Sequence, residues 1–150
     1  MTNVFKEKGT SEFINRIHNL TPETKPQWGK MSVEKMLAHC NVTYELIYED
    51  KHPRPKGLKK LLIKLLIKNY VVGDKPFKKN GGTAPAFLIR DERKFKTEKD
   101  RLIQHLEKTQ QLGESHFNGK ESHSFGPLTI KEWNTMFSKH LDHHLTQFGV

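Results

Sequence analysis

From Thr129 to Phe148 the chain carries a helical pattern that constrains the fold more than any other segment. Thr129-Ile130-Lys131-Glu132 is a capping box, in which hydroxyl and carboxylate satisfy the first free backbone amides reciprocally. Behind it Trp133, Met136, Phe137, His140, His144 and Phe148 recur at three- and four-residue spacings, the stripe of an amphipathic helix. A half-buried strand would alternate every second residue, and no segment does so convincingly.

The same period recurs upstream. Ser11 is a good N-cap for a first, short helix through Phe13, Ile14, Ile17 and Leu20, stopped at Thr21-Pro22. Ser32 begins a longer helix to about Glu49, with Val33, Met36, Leu37, Cys40, Tyr44 and Ile47 on one broad stripe. Gly57 opens a third helix, Leu58 to about Lys68, in which Lys56, Lys60, Lys64 and Lys68 recur every four residues and Leu and Ile fill the rest. Between about Asn69 and Ile89 no period holds, and glycines and prolines punctuate the segment. A further helix is expected from about Asp91 to Gln111, with Phe95, Leu102, Ile103 and Leu106 inward and Gly113 as its stop. These elements predict an all-α protein built as a four-helix bundle with an extra short amphipathic helix. At 150 residues the chain has the length of a single domain, residues 1–150.

The formal net charge is +9, from 26 basic and 17 acidic residues. Residues 51–80 hold ten of the basic groups (Lys51, Arg54, Lys56, Lys59, Lys60, Lys64, Lys68, Lys75, Lys78 and Lys79) against Asp74 alone, leaving sixteen of each sign elsewhere. The basicity is therefore local, which disfavours nucleic acid as the partner of the whole surface. With one cysteine, Cys40, no intrachain disulfide framework exists. Neither an apolar leader at Met1-Thr2-Asn3-Val4-Phe5 nor an apolar run long enough to span a bilayer is visible, so a cytoplasmic protein without a transmembrane segment is expected.

Three of the nine histidines, His140, His143 and His144, fall within five residues of the last helix. With His140 at zero and 100° per residue, His144 falls near 40° and Gln147 near −20°, inside the apolar stripe, while His143 falls near its edge at about −60°. Two inward imidazoles one turn apart can converge on one ion. A third ligand from another helix would complete a three-histidine site with an open position. His39, at the edge of its own helix's stripe beside Met36 and Thr43, is the candidate third ligand; the alternative is a core histidine satisfied by its neighbours. Gln147 either orients a ligand or is a buried amide bonded to backbone, and His143, Thr43 and the loop residue His123 are further candidates around the site. Leu141 stands where a zincin protease would carry its glutamate base, which argues against that chemistry. Cys40 points about 100° away from His39 and is expected to be buried and inert.

Trp28 through His39 (Trp-Gly-Lys-Met-Ser-Val-Glu-Lys-Met-Leu-Ala-His) resembles the helix-opening motif of the DinB-like, or YfiT-like, superfamily of metalloproteins. His140, His144 and Gln147 look like the terminal His-x-x-x-His-x-x-Gln signature of that superfamily, and His39 matches its first ligand histidine. Ser122-His123-Ser124-Phe125-Gly126-Pro127-Leu128-Thr129, Trp133 and His140 through Gly149 resemble more closely a subgroup classed as a domain of unknown function. The resemblance covers most of the chain. It implies a four-helix bundle holding a divalent metal ion, usually zinc or nickel, on three histidines. Relatives include transferases and isomerases that use small thiols, and a few amidases.

Two functional readings follow. In the first, His39, His140 and His144 bind an ion for a metal-dependent hydrolase or small-thiol transferase, acting on a small-molecule substrate, anionic or thiol-containing; no catalytic residue beyond the ligands is assigned. Lys75, Lys78 and Lys79 would then attract an anionic substrate. In the second, a non-catalytic module docks its basic segment 51–80 on an anionic partner, a membrane surface or nucleic acid. Two simpler roles for the apolar side of the third helix are packing on the bundle, with its lysines solvated, and a homodimer contact.

Overall fold

A computed structural model describes residues 1–150. Its regular structure is helical: α1 (Glu7–His18), α2 (Val33–Tyr48), α3 (Gly57–Leu66), α4 (Lys68–Val72), α5 (Phe95–Phe117) and α6 (Ile130–Gln147), with a 3-10 turn at Pro85–Phe87. The protein is all-α. No helix is long and apolar enough to cross a membrane.

The helices α1, α2, α5 and α6 pack on one another around a cluster of 20 buried apolar residues that runs from Val4 to Phe148. At its centre Tyr44 of α2 stacks on Phe137 of α6 with ring centroids 5.2 Å apart, and Phe137 in turn lies 5.7 Å from Trp133. Phe117 and Phe5 close this aromatic group from the far side. From Met36 to Glu45 every residue of α2 is buried, so the helix is enclosed on all sides and not on one stripe alone.

Polar residues tie α2 to α5 beside that core. Asn41 Nδ2 donates to the carbonyl and a carboxylate oxygen of Glu98 at 3.0 and 2.9 Å. The Arg101 guanidinium reaches Glu45 at 2.6 Å and Glu98 at 2.9 Å. Burial raises the Glu45 carboxyl, but hydrogen bonds from His52 and Arg101 outweigh it and hold the group below its usual range.

Several boundaries differ from the periodicity reading. The first helix begins at Glu7, not at Ser11, which is an exposed residue within it. The chain preceding it causes the difference: Val4 and Phe5 are buried, Thr10 Oγ1 donates to the Val4 carbonyl at 2.7 Å, and a Cβ on Gly9 would collide with the Asn3 carbonyl oxygen. Tertiary contact thus recruits one more turn. Ser32 does occupy the N-cap position of α2, yet its hydroxyl donates to Glu34 at 2.6 Å and caps no backbone amide. The third helix breaks at Ile67 and resumes as α4, so the first residues of the expected long loop are helical. Gly113 interrupts α5 at φ 70°, but a further turn follows it and buries Phe117.

The capping box of α6 forms as its sequence dictates, with the Thr129 amide donating to Glu132 Oε2 at 2.8 Å and the Glu132 amide to Thr129 Oγ1 at 3.3 Å. Thr129→Ala should cost about 1 kcal/mol of stability, read as a lower urea midpoint at unchanged m-value.

The third helix is oriented contrary to a core-packed amphipathic helix. It packs against no helix other than its continuation α4, and none of its residues is buried. Two of the lysines turn toward the protein: Lys60 pairs with Glu121 at 2.7 Å, and Lys68 at the start of α4 pairs with Glu132 at 2.7 Å, while Lys56, Lys59 and Lys64 stay exposed. The expected packing of the apolar side on the bundle is not found, whereas Lys56, Lys59 and Lys64 are exposed as expected.

Candidate metal centre

His39 comes from the buried centre of α2, and His140 and His144 from successive turns of α6. One donor nitrogen from each lies within 4.8 Å of the others, and the Nε2 atoms of His39 and His140 stand 3.0 Å apart. A tetrahedral ion with metal–nitrogen bonds of about 2.0–2.1 Å sets its ligand atoms about 3.3 Å apart, so the group has the dimensions of an ion site. His39 and His144 are buried, and His140 keeps partial exposure.

The other ring nitrogen of each histidine is already engaged. His39 Nδ1 lies 2.9 Å from the Phe87 carbonyl oxygen, which can only accept, so Nδ1 carries the proton and Nε2 a lone pair. Gln147 Nε2 donates to the Trp28 carbonyl at 2.8 Å, which turns Gln147 Oε1 toward His144 Nδ1 at 2.8 Å and makes that nitrogen a donor too. His140 Nδ1 is 3.0 Å from Thr43 Oγ1, a hydroxyl able to accept or donate. Without an ion, His140 Nε2–H donates to His39 and Thr43 donates to His140 Nδ1. With one, the tautomer reverses and Thr43 accepts. A second partner on each Nδ1, with Nε2 left for the ion, is the arrangement metal-ligating histidines use.

Burial lowers all three histidines. Desolvation depresses His39 and takes His140 well down, while burial followed by the neighbouring His39 brings His144 to about 3. Neutral imidazole is the form that binds metal. The unfolded chain, with ordinary histidines, binds more protons than the folded one below about pH 6.5. The stability this contributes is complete above that pH and is lost as pH falls toward 3. At pH 4.5 the apo protein should therefore be about 2–3 kcal/mol less stable through His144 alone, measurable as a urea midpoint that falls between pH 7 and pH 4.5.

The surroundings of the triad are aromatic. Phe87 lies 5.2 Å from the His39 ring and 5.6 Å from that of His140. Phe77 stands edge-on to His140 and His143 at 6.4 and 5.8 Å. Trp28 contacts His143 at 5.9 Å, and Lys79 Nζ sits 4.2 Å over the Trp28 ring. His143 itself packs 5.0 Å from His144 without joining the converging group. A cavity of about 330 Å³ lined by Thr2, Phe13, Ser138 and Lys139 lies elsewhere and includes none of the three histidines.

Gln147, Thr43 and His143 therefore stand at the triad, whereas His123 does not. Its ring is engaged by Ser124 Oγ at 2.8 Å and by the His52 carbonyl at 3.1 Å. Cys40 is fully buried, and burial pushes its thiol up, away from the thiolate. Sequence patterning gave no role to the Phe87 carbonyl, because a main-chain acceptor carries no residue signature. Gly29 carried a usable signal: at φ 81° it takes a conformation suited to glycine, and a Cβ there would meet Gln147 Nε2 at 2.8 Å. Comparison of the chain with protein-family models, with curated proteins and with solved structures finds no match. The site therefore rests on its geometry: a largely buried three-histidine group that could hold a metal ion.

Gln147→Leu keeps the volume but frees His144 Nδ1 and the Trp28 carbonyl. Metal affinity should fall about 10- to 100-fold, measured by competition with a chromophoric chelator.

Proposed function

We propose that the chain is a single-domain, DinB-like four-helix bundle that binds one divalent ion, zinc or nickel, through Nε2 of His39, His140 and His144. The observation that carries this reading is the set of second partners: Phe87 O, Thr43 Oγ1 and Gln147 Oε1 engage the three Nδ1 atoms, so that the Nε2 atoms are the ones left for an ion once His140 gives up its Nε2 proton. An ion held by three protein ligands keeps a position for water or substrate, and when bound it supplies Lewis acidity and a lowered pKa for a water or thiol. Thr43, Gln147 and the Phe87 carbonyl fix the ring orientations, and Phe77 and Phe87 limit water around them. Lys79, held against Trp28 beside His143, is placed to attract the anionic end of a small substrate. These features support a metal-dependent hydrolase or small-thiol transferase.

The test is the ion content of protein purified without a histidine tag, followed by zinc and nickel uptake by the chelator-treated form. One equivalent per chain is expected; no bound ion and no uptake of either would end this reading. Activity screens with amide and thiol substrates then separate hydrolase from transferase, and Lys79→Glu should raise the KM of an acidic substrate with little change in kcat.

A further inference from the structure

The exposed face of α3 is a feature the metal site does not use. Seven of the nine large apolar side chains on the surface lie between Leu58 and Tyr70. Leu58, Leu65 and Leu66 are 71%, 65% and 73% exposed, with Leu61 and Leu62 beside them. At 100° per residue these five leucines fall within an arc of about 140°, and Lys60 and Lys64 lie opposite. The opposite side is anchored to the protein: Lys60 to Glu121, Lys68 to Glu132, and Lys64 Nζ within 3.8 Å of the position a Cβ on Gly126 would take. With these contacts the helix lies leucine-side out. Soluble proteins seldom expose so contiguous an apolar surface unless something covers it.

We propose that α3 and α4 form a docking surface for a bilayer containing anionic phospholipid, with the leucines entering the interface and the helix lying parallel to it. Charge complementarity selects this occupant. Lys56 and Lys59 at the start of α3, and Lys75 and Lys78 just beyond α4, are exposed and make no ion pair. A second copy of the chain docked through the same face would set two equally basic segments against each other, each with ten cations to Asp74 alone in residues 51–80. Phospholipid headgroups neutralise them while the acyl region takes the leucines, a combination that nucleic acid phosphates do not offer. Tyr70 of α4, 44% exposed although its ring packs 5.2 Å from Phe77, has the amphipathic ring suited to a headgroup boundary.

The experiment is flotation of the full chain with phosphatidylcholine vesicles with and without phosphatidylserine, alongside sedimentation of the protein alone. Binding to the serine-containing vesicles is expected, about a hundredfold weaker on neutral ones and weakened by salt. Leu61→Ser with Leu65→Ser should reduce binding roughly tenfold or more. Both side chains are exposed, so circular dichroism and thermal midpoint should stay unchanged and exclude misfolding as the cause. Lys56→Gln with Lys59→Gln should diminish the preference for anionic vesicles. Absence of flotation on either vesicle at low ionic strength would overturn the proposal, as would a leucine variant that binds like the original. A dimer that the leucine variant dissolves, with no vesicle binding, would assign the face to a second copy and equally overturn it.

Discussion

His140→Ala combined with His144→Ala should abolish stoichiometric metal uptake while leaving the helical fold in place. Loss of a single outer partner costs a metal site about 10- to 100-fold, so removing two of three direct ligands should cost at least about a thousandfold. His39 would remain with one lone pair and no neighbouring donor within ion-binding distance. The cost to the fold is smaller and comes from a different source. Without His144, Gln147 Oε1 loses its donor in a buried place, which costs about 1–3 kcal/mol. The double variant should show lost uptake by chelator competition together with a far-UV spectrum like that of the original protein. Retained uptake would mean the ion binds elsewhere.

The second large effect concerns stability. Arg101→Met keeps the aliphatic reach of the side chain and removes the charge that Glu45 and Glu98 share. Those carboxylates are only 9% and 5% exposed, so the loss leaves buried charge underpaired. Removing one partner of a buried pair costs about 3–5 kcal/mol in full burial. Here the guanidinium is 25% exposed, Arg93 and Asn41 still serve Glu98, and Lys51 and His52 still serve Glu45. The expected loss is therefore about 2–3 kcal/mol, or roughly 5–10 °C in thermal midpoint for a chain of this size. Glu98→Gln in the same background should recover part of it, because the uncompensated charge then disappears. A midpoint unchanged by Arg101→Met would show that solvent and the remaining partners suffice. Because α2 carries His39, this clasp also sets where one ligand of the triad stands relative to α5.

The sequence made some of this legible and concealed the rest for identifiable reasons. The last helix was readable from local information: the Thr129–Glu132 box, the apolar period and the four-residue spacing of His140 and His144 all belong to one segment. That those two histidines meet His39 depends on how α2 lies against α6, which the edge position of His39 on its stripe indicated without determining. The start of α1 was hidden because Val4 and Phe5 are buried and the Asn3 main chain closes over Gly9, a contact no capping preference registers. The orientation of α3 was hidden for a related reason. A lysine stripe opposite a leucine stripe ordinarily means leucines packed inward, and here Glu121 and Glu132, which lie more than fifty residues downstream, draw Lys60 and Lys68 to the protein while the leucines face out. His123 was drawn away from the triad by the carbonyl of His52, a partner equally invisible to spacing.

The most direct measurement of the central claim is X-ray absorption at the metal edge of zinc-loaded protein. The geometry predicts one zinc per chain, three imidazole nitrogens at about 2.0–2.1 Å with one further light-atom ligand, and no sulfur. A sulfur scatterer near about 2.3 Å would implicate Cys40 and contradict the three-histidine assignment, as would fewer than three imidazoles around the ion.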